Sequence, residues 1–238
     1  MLQIGLRDQW PLNRRAIISD GAVPLHKTMI LGPGFDGELG PNAFLVEQGP
    51  GLSIRPHFHL NSQWQVFVGG EGMIGRKPVK PFVVQYVAPH TGYGPIIAGS
   101  DGLQYMTLRP SPQSGALYLP DARDRLHLKA PKLQLTSASV LPNGKSSAHT
   151  VVDMMMPQAG GLAAWMIHIP PASSVAAPTH LGGLARYYLV IRGSMIASDQ
   201  TLGPLSLAWV SGNDMAMPLE AGEDGLDVIA MQFPGDAK

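Results

Sequence analysis

His57 and His59 stand two residues apart, and Gln63 follows four residues later, in the segment Pro56-His57-Phe58-His59-Leu60-Asn61-Ser62-Gln63. Side chains on a β-strand repeat every second residue, so positions 57 and 59 share a face. Two imidazoles on one inward face can hold a single divalent transition metal, with open positions left for water or substrate. Gln63 would add a neutral amide oxygen, a weaker donor for hard cations than a carboxylate. Further along, Val87-Ala88-Pro89-His90-Thr91-Gly92-Tyr93-Gly94 offers Tyr93 and His90. Either one, or water, could complete the set of ligands, and a tyrosine there could instead act as an acid, a base or a hydrogen-bond donor to substrate. The plainer alternative is a hydrogen-bonded histidine pair in a core, a tyrosine packed into a glycine-rich turn and an exposed loop histidine.

The elements that would position these residues occur twice. The run Pro56 to Gly70 matches Thr179 to Gly193 at an offset of 123 residues. His57 falls on His180, Phe67 on Val190, Val68 on Ile191 and Gly70 on Gly193. Downstream the match continues: Tyr86-Val87 falls on Trp209-Val210 and Pro95 on Pro218. Five of six residues are identical between Ala98–Leu103 and Ala221–Leu226. The chain therefore reads as one duplicated β-domain, divided as 1–118 and 119–238, and repeats of this kind usually pack face to face.

The copies differ where chemistry is at stake. His59 falls on Gly182 and Gln63 on Arg186. A guanidinium is always charged and repels a divalent ion, and His180 alone cannot hold one, so no metal is expected in the second copy. Arg186 is expected either to be an outward or interface residue in a purely structural barrel or to form a small anion pocket with His180; His168 could join that pocket, with a place in the core as its plainer reading. The remaining histidines, His26, His127 and His149, carry no motif.

Composition narrows the function. Of 238 residues, 45% are hydrophobic and only 14% are charged, with 17 basic residues balancing 17 acidic ones. No basic stripe appears, so neither nucleic acid nor an anionic membrane is an expected partner. There is no cysteine, which excludes disulfides, thiolate metal sites and a cysteine nucleophile. The start of the chain lacks the apolar stretch of a signal peptide, no apolar run is long enough to span a membrane, and the expected location is the cytoplasm. The 28 glycines and 22 prolines fall between short apolar runs, as they do in all-β barrels and sandwiches. Expected strands are 52–59, 64–68, 82–87 and 103–108, with a tight turn at Gly69-Gly70-Glu71-Gly72 and one short helix near 120–128.

In these motifs the chain resembles the cupin superfamily. The first cupin motif corresponds to Gly51, His57, His59, Gln63 in place of the usual carboxylate, and Gly70; the second corresponds to 87–94, with Tyr93 in place of the usual third histidine. The resemblance implies an all-β fold of two jelly-roll barrels. It also implies one divalent transition metal (Fe, Mn, Ni, Cu or Zn) on His57, His59 and Gln63 of the N-terminal barrel, with Tyr93 and His90 as catalytic candidates. The implied activity is a metal-dependent reaction on a small organic substrate, as a dioxygenase or a lyase or isomerase. The alternative is a bicupin that binds a small molecule or serves structure without catalysis. A homodimer is compatible with either.

Overall fold

The computed structural model describes residues 1–17, 25–32, 40–113, 115–142, 146–211 and 217–235. The chain divides into two compact units, Trp10–Ser139, and Val140–Ala237 together with Met1–Gln9. This boundary lies about twenty residues beyond the expected 118/119 junction, for a reason visible in the pairing. Gln134–Thr136 hydrogen-bonds to Val84–Val87 and so stays with the first barrel, while Leu2–Gly5 is a strand of the second barrel, paired with Leu207–Ser211.

In the first barrel the main sheet runs in the order 134–136, 84–87, 63–74, 96–109, 42–48, 25–31 and 14–17, with 53–54 and 77–79 paired at its margins. In the second the order is 2–5, 207–211, 183–197, 218–234, 163–169 and 150–155. Described helices are short 3-10 turns, and the one expected near 120–128 is only Arg123–Arg125, too short for an α-helical nucleus to form. No described helix is long and apolar enough to cross a membrane. Each barrel has its own apolar core, built around Phe67, Ile96 and Leu103 in the first and Ile167, Val190 and Val228 in the second.

The duplication extends to the hydrogen-bond register. Leu108 faces Trp64, Tyr105 faces Phe67 and Leu103 faces Gly70. At the same offset, Met231 faces Tyr187, Val228 faces Val190 and Leu226 faces Gly193. Both register shifts of the first ladder recur in the second, which has a third between Gly183 and Ala185. Aromatic packing is retained with the residues exchanged: Trp64 meets Tyr86 at 5.0 Å between ring centroids, and Tyr187 meets Trp209 at 4.7 Å.

Two expectations change in ways that matter for the site. The strand expected over 52–59 is interrupted, giving Ser53–Ile54 and His57–Phe58. Pro56 separates them and has no N–H to donate to a ladder. His57 then pairs with Tyr93 through two backbone bonds, His57 N–H to Tyr93 O at 3.0 Å and Tyr93 N–H to His57 O at 2.9 Å. The glycine run 69–72 makes no turn, because Gln63–Ile74 is one continuous strand. Gly70 forms a bulge with φ +67°; a Cβ there would lie 2.1 Å from the Gly102 carbonyl oxygen, and at Gly193 (φ +67°) 2.0 Å from that of Gly225.

Both positions therefore require glycine. Gly70→Ala and Gly193→Ala should each destabilise their own barrel by about 3 kcal/mol or more, read as a lowered denaturation midpoint. A shift below about 0.5 kcal/mol at either site would mean that the bulge is not held as described.

Candidate functional site

Alternation along four strands of the first barrel sends one set of side chains into a common interior. Leu25 and Lys27, Phe44 and Val46, Gln63 and Gln65, and Tyr105, Thr107 and Arg109 line a cavity of about 380 Å3. His57, His59, Tyr93, Gln113 and Tyr118 line it as well. A larger hollow of about 900 Å3 in the same unit is lined by Glu71, Lys77, Lys80 and Asp101, with no imidazole or phenol among its lining residues. Of these two, the smaller is the one in which imidazole, phenol and guanidinium groups meet.

Of the residues singled out in the sequence, His57, His59, Gln63 and Tyr93 meet in this cavity. His90 does not. Its backbone N–H donates to His59 O at 2.7 Å, but its ring lies against Phe58 and His127, where Nδ1 accepts from the His127 N–H at 3.2 Å. Burial, then Lys132 and His127, lower the pKa of that ring.

The site is organised by a residue that the motifs did not single out. Arg109, 3% exposed, donates to Gln63 Oε1 from Nε at 3.1 Å and from Nη2 at 3.0 Å, and from Nη1 to the Gln113 carbonyl at 3.2 Å. With its oxygen turned to Arg109, Gln63 presents its amide NH2 to Tyr93 and donates to Oη at 2.6 Å. Tyr93 lies 2.8 Å from His57 Nε2, and His57 Nδ1 lies 2.8 Å from the Arg55 carbonyl. A carbonyl only accepts, so Nδ1 carries the proton, Nε2 is the acceptor and the Tyr93 hydroxyl donates to it. His59 Nδ1 lies 3.2 Å from both Arg109 Nη2 and Gln113 Nε2. Two donors face Nδ1, which makes it the acceptor, and the same Arg109 Nη2 also lies 3.3 Å from Nε2.

Burial disfavours charge on these groups. It lowers His57 to about 4, opposed by the Arg55 carbonyl and reinforced by Arg109. Burial, Arg109 and His57 hold His59 well below the usual imidazole range. Burial also raises the Tyr93 phenol, with Arg109 and Gln63 acting against it. Lys27, whose Nζ stands 3.8 Å from the Phe44 ring centroid, is lowered to about 8 by burial and then by Arg109.

These residues do not fit a divalent metal as they are arranged. An amide oxygen has two lone pairs, and Arg109 takes both on Gln63. The free lone pair of His57 faces Tyr93, and that of His59 faces Arg109 and Gln113. An ion bonded at about 2.1 Å to His59 and Gln63 would lie within roughly 5 Å of the guanidinium, a repulsion on the order of 6 kcal/mol even at an effective dielectric of 20. Nor do any three of His, Asp or Glu cluster as a metal site among the described residues.

The second barrel repeats the central pair with its members exchanged. Gln63 and Arg109 correspond to Arg186 and Gln232, which face each other in the ladder. Arg186 is fully buried rather than outward-facing; it donates to Gln232 Oε1 and, at 2.7 Å, to Tyr188 Oη, and it lies over the Trp165 and Tyr188 rings. The His180 backbone carbonyl accepts from Gln232 at 2.8 Å, while its ring nitrogen Nδ1 lies 3.2 Å from the Leu181 carbonyl. His168 is a buried partner of Asp227 at 2.8 Å and of the Ser146 carbonyl.

Comparisons with known proteins place the fold. No sequence-family model matches the chain, and no curated protein matches it. Solved structures do match. A Nostoc punctiforme protein provisionally assigned as a dioxygenase is 14% identical over all of this chain and 81% of its own, with a TM-score of 0.60. The pirin YhhW from Escherichia coli, solved in complex with nickel(II), is 11% identical over 98% of this chain and 99% of its own, with a TM-score of 0.60. Bacillus subtilis oxalate decarboxylase, with Mn(II) centres, is 12% identical over 96% of this chain and 77% of its own, with a TM-score of 0.58. The chain has the cupin fold twice over, in bicupin form.

The position of His57 yields a prediction about pH. Its folded-state value of about 4 lies below an unfolded value of about 6.5, so the unfolded chain binds more protons between these limits. The resulting stabilisation is complete above pH 6.5 and declines as the pH falls towards 4. By NMR, the His57 ring should show no titration from pH 8 to pH 5. At pH 5 the first barrel should have lost on the order of 2 kcal/mol through this residue. An imidazole titrating at its ordinary value would contradict the burial and bonding described.

Proposed function

We propose that the first barrel is an enzyme site that binds a small organic molecule and moves a proton on it, with Tyr93 as hydrogen-bond donor to the substrate oxygen and His57 as the group that takes the proton and returns it. This is the lyase or isomerase branch of the expected chemistry, not the dioxygenase branch. The observation that carries it is the 2.8 Å contact between Tyr93 Oη and His57 Nε2, inside the cavity and with the His57 tautomer fixed by the Arg55 carbonyl. Tyr93 holds its proton firmly, which suits it to donate a hydrogen bond to a developing oxyanion. The His57 Nε2 lone pair, which accepts from the Tyr93 hydroxyl at 2.8 Å, is released to take a proton when that hydroxyl turns to a substrate oxygen. Arg109 is one of the groups that lower the basicity of His57, so an anionic substrate that offsets the guanidinium would raise it towards the useful range.

The likeness to solved bicupins supports a site inside a barrel, and their low identity leaves the reaction to be argued from the residues. No carboxylate lines the cavity among the described residues, and the Lys27 amine, lowered to about 8, is largely protonated at neutral pH, so the neutral imidazoles are the acceptors at hand.

Incubating a panel of 1,3-diketones, 3-oxo acids and sugar acids in deuterium oxide tests this directly, with carbon-bound deuterium read by NMR. At least one compound should exchange or rearrange, and Tyr93→Phe and His57→Gln should each slow it on the order of 100-fold. Oxygen uptake with catechols should be absent. Exchange that survives both substitutions, or oxygen consumption dependent on His57, overturns this reading.

A further inference from the structure

The proton-transfer site leaves one part of the cavity unused, the wall formed by Lys27, Phe44 and Arg109. Lys27 Nζ stands 3.8 Å from the Phe44 ring centroid, and the Arg109 guanidinium carbon stands 5.3 Å from it. Two cations thus flank one aromatic ring on neighbouring strands of one cavity. Each depresses proton binding by its neighbours: Arg109 lowers Lys27, and both lower His59. Like charges held this close in a poorly solvated place are unfavourable to one another, and no Asp or Glu is among the described residues that line the cavity. An anion entering from solvent relieves that repulsion.

From this arrangement we infer that the Lys27–Phe44–Arg109 wall is a carboxylate seat, and that the cavity takes small organic carboxylates. The inference builds on the proposed proton-transfer function and names its substrate class. The volume of about 380 Å3 lies at the small end of ligand pockets, which suits a mono- or dicarboxylic acid of a few carbons. Arg109 offers its fixed positive charge to a carboxylate while its Nε and Nη2 edge holds Gln63. Lys27 offers a single point charge on a flexible stem. Phe44 and Val46 cover the apolar part of the chain. A carboxylate held on this wall projects the rest of the molecule towards Tyr93 and His57, across the same cavity.

Isothermal titration calorimetry of the full chain with acetate, malonate and succinate, against the shape-matched neutral malonamide, tests the seat without requiring turnover. At least one carboxylate should bind, more weakly as salt is raised, and malonamide should not. Arg109→Lys, which keeps a charge but loses the paired bonds that fix it against Gln63, should weaken binding on the order of tenfold, and Arg109→Met on the order of 100-fold. Because Arg109 also supports the fold, Lys27→Met is the independent probe, with an expected loss of about fivefold. Failure of all three carboxylates to bind, equal binding of malonate and malonamide, or unchanged affinity in Lys27→Met and Arg109→Met overturns the seat. Carboxylate binding with these dependences, but with no proton exchange on any compound, would keep the seat and remove the proton-transfer reading. Exchange on neutral compounds with no carboxylate binding would do the reverse.

Discussion

The hydrogen bonds from Arg109 to Gln63 set the direction of everything else in the first barrel. A glutamine amide has a donor end and an acceptor end, and the guanidinium can only donate. Once Arg109 claims the oxygen, the NH2 must face Tyr93. The phenol, receiving that bond, turns its own hydrogen to His57. His57 must then accept at Nε2 and donate from Nδ1, and the Arg55 carbonyl is placed to receive that proton. A single buried charge therefore fixes the tautomer of an imidazole three residues away in the network. The same charge is what makes the centre of the barrel unwelcoming to a divalent cation.

The second barrel supports this view through an exchange. The partner strands carry Arg186 and Gln232 where the first barrel carries Gln63 and Arg109, so the duplicated fold keeps the pair and swaps its members. Burying a guanidinium is costly unless its donors are satisfied. In the second barrel Gln232 and Tyr188 accept from the two Nη groups of Arg186 and two aromatic rings lie against it, while its buried Nε has no hydrogen-bond partner among the described residues. In the first, the equivalent charge lines a cavity with His57, Tyr93 and Lys27. The two units thus differ in access to the charge, and Gly182 stands where the first has the imidazole of His59.

Much of this was legible from residue types and spacing. The offset of 123 residues gave the duplication, and the alternation of 57 with 59 and 63 gave the facing groups. Tyr93 was visible as the residue standing in the second motif. Arg109 was not, because its role depends on a strand pairing between positions 63 and 109 that no local pattern encodes. The trace it does leave in the sequence is the pairing of Gln63 with Arg186 and of Arg109 with Gln232 at one offset, which acquires meaning only when the strands are known to be neighbours. His90 was attractive for its place in a motif, but the left-handed backbone at this residue (φ +56°) and its contacts with Phe58 and His127 turn the ring away. The glycine run 69–72 looked like a reversal, and the long ladder on both sides made it a bulge instead.

The central claim is that a guanidinium–amide pair occupies the place where a metal would bind. Elemental analysis of protein purified without a histidine tag, after incubation with Mn, Fe, Ni, Cu and Zn salts and desalting, tests this most directly. Arg109 should keep the wild-type chain free of stoichiometric metal, whichever ion is offered. One tightly held ion per chain, lost on His57→Ala or His59→Ala, would contradict the account.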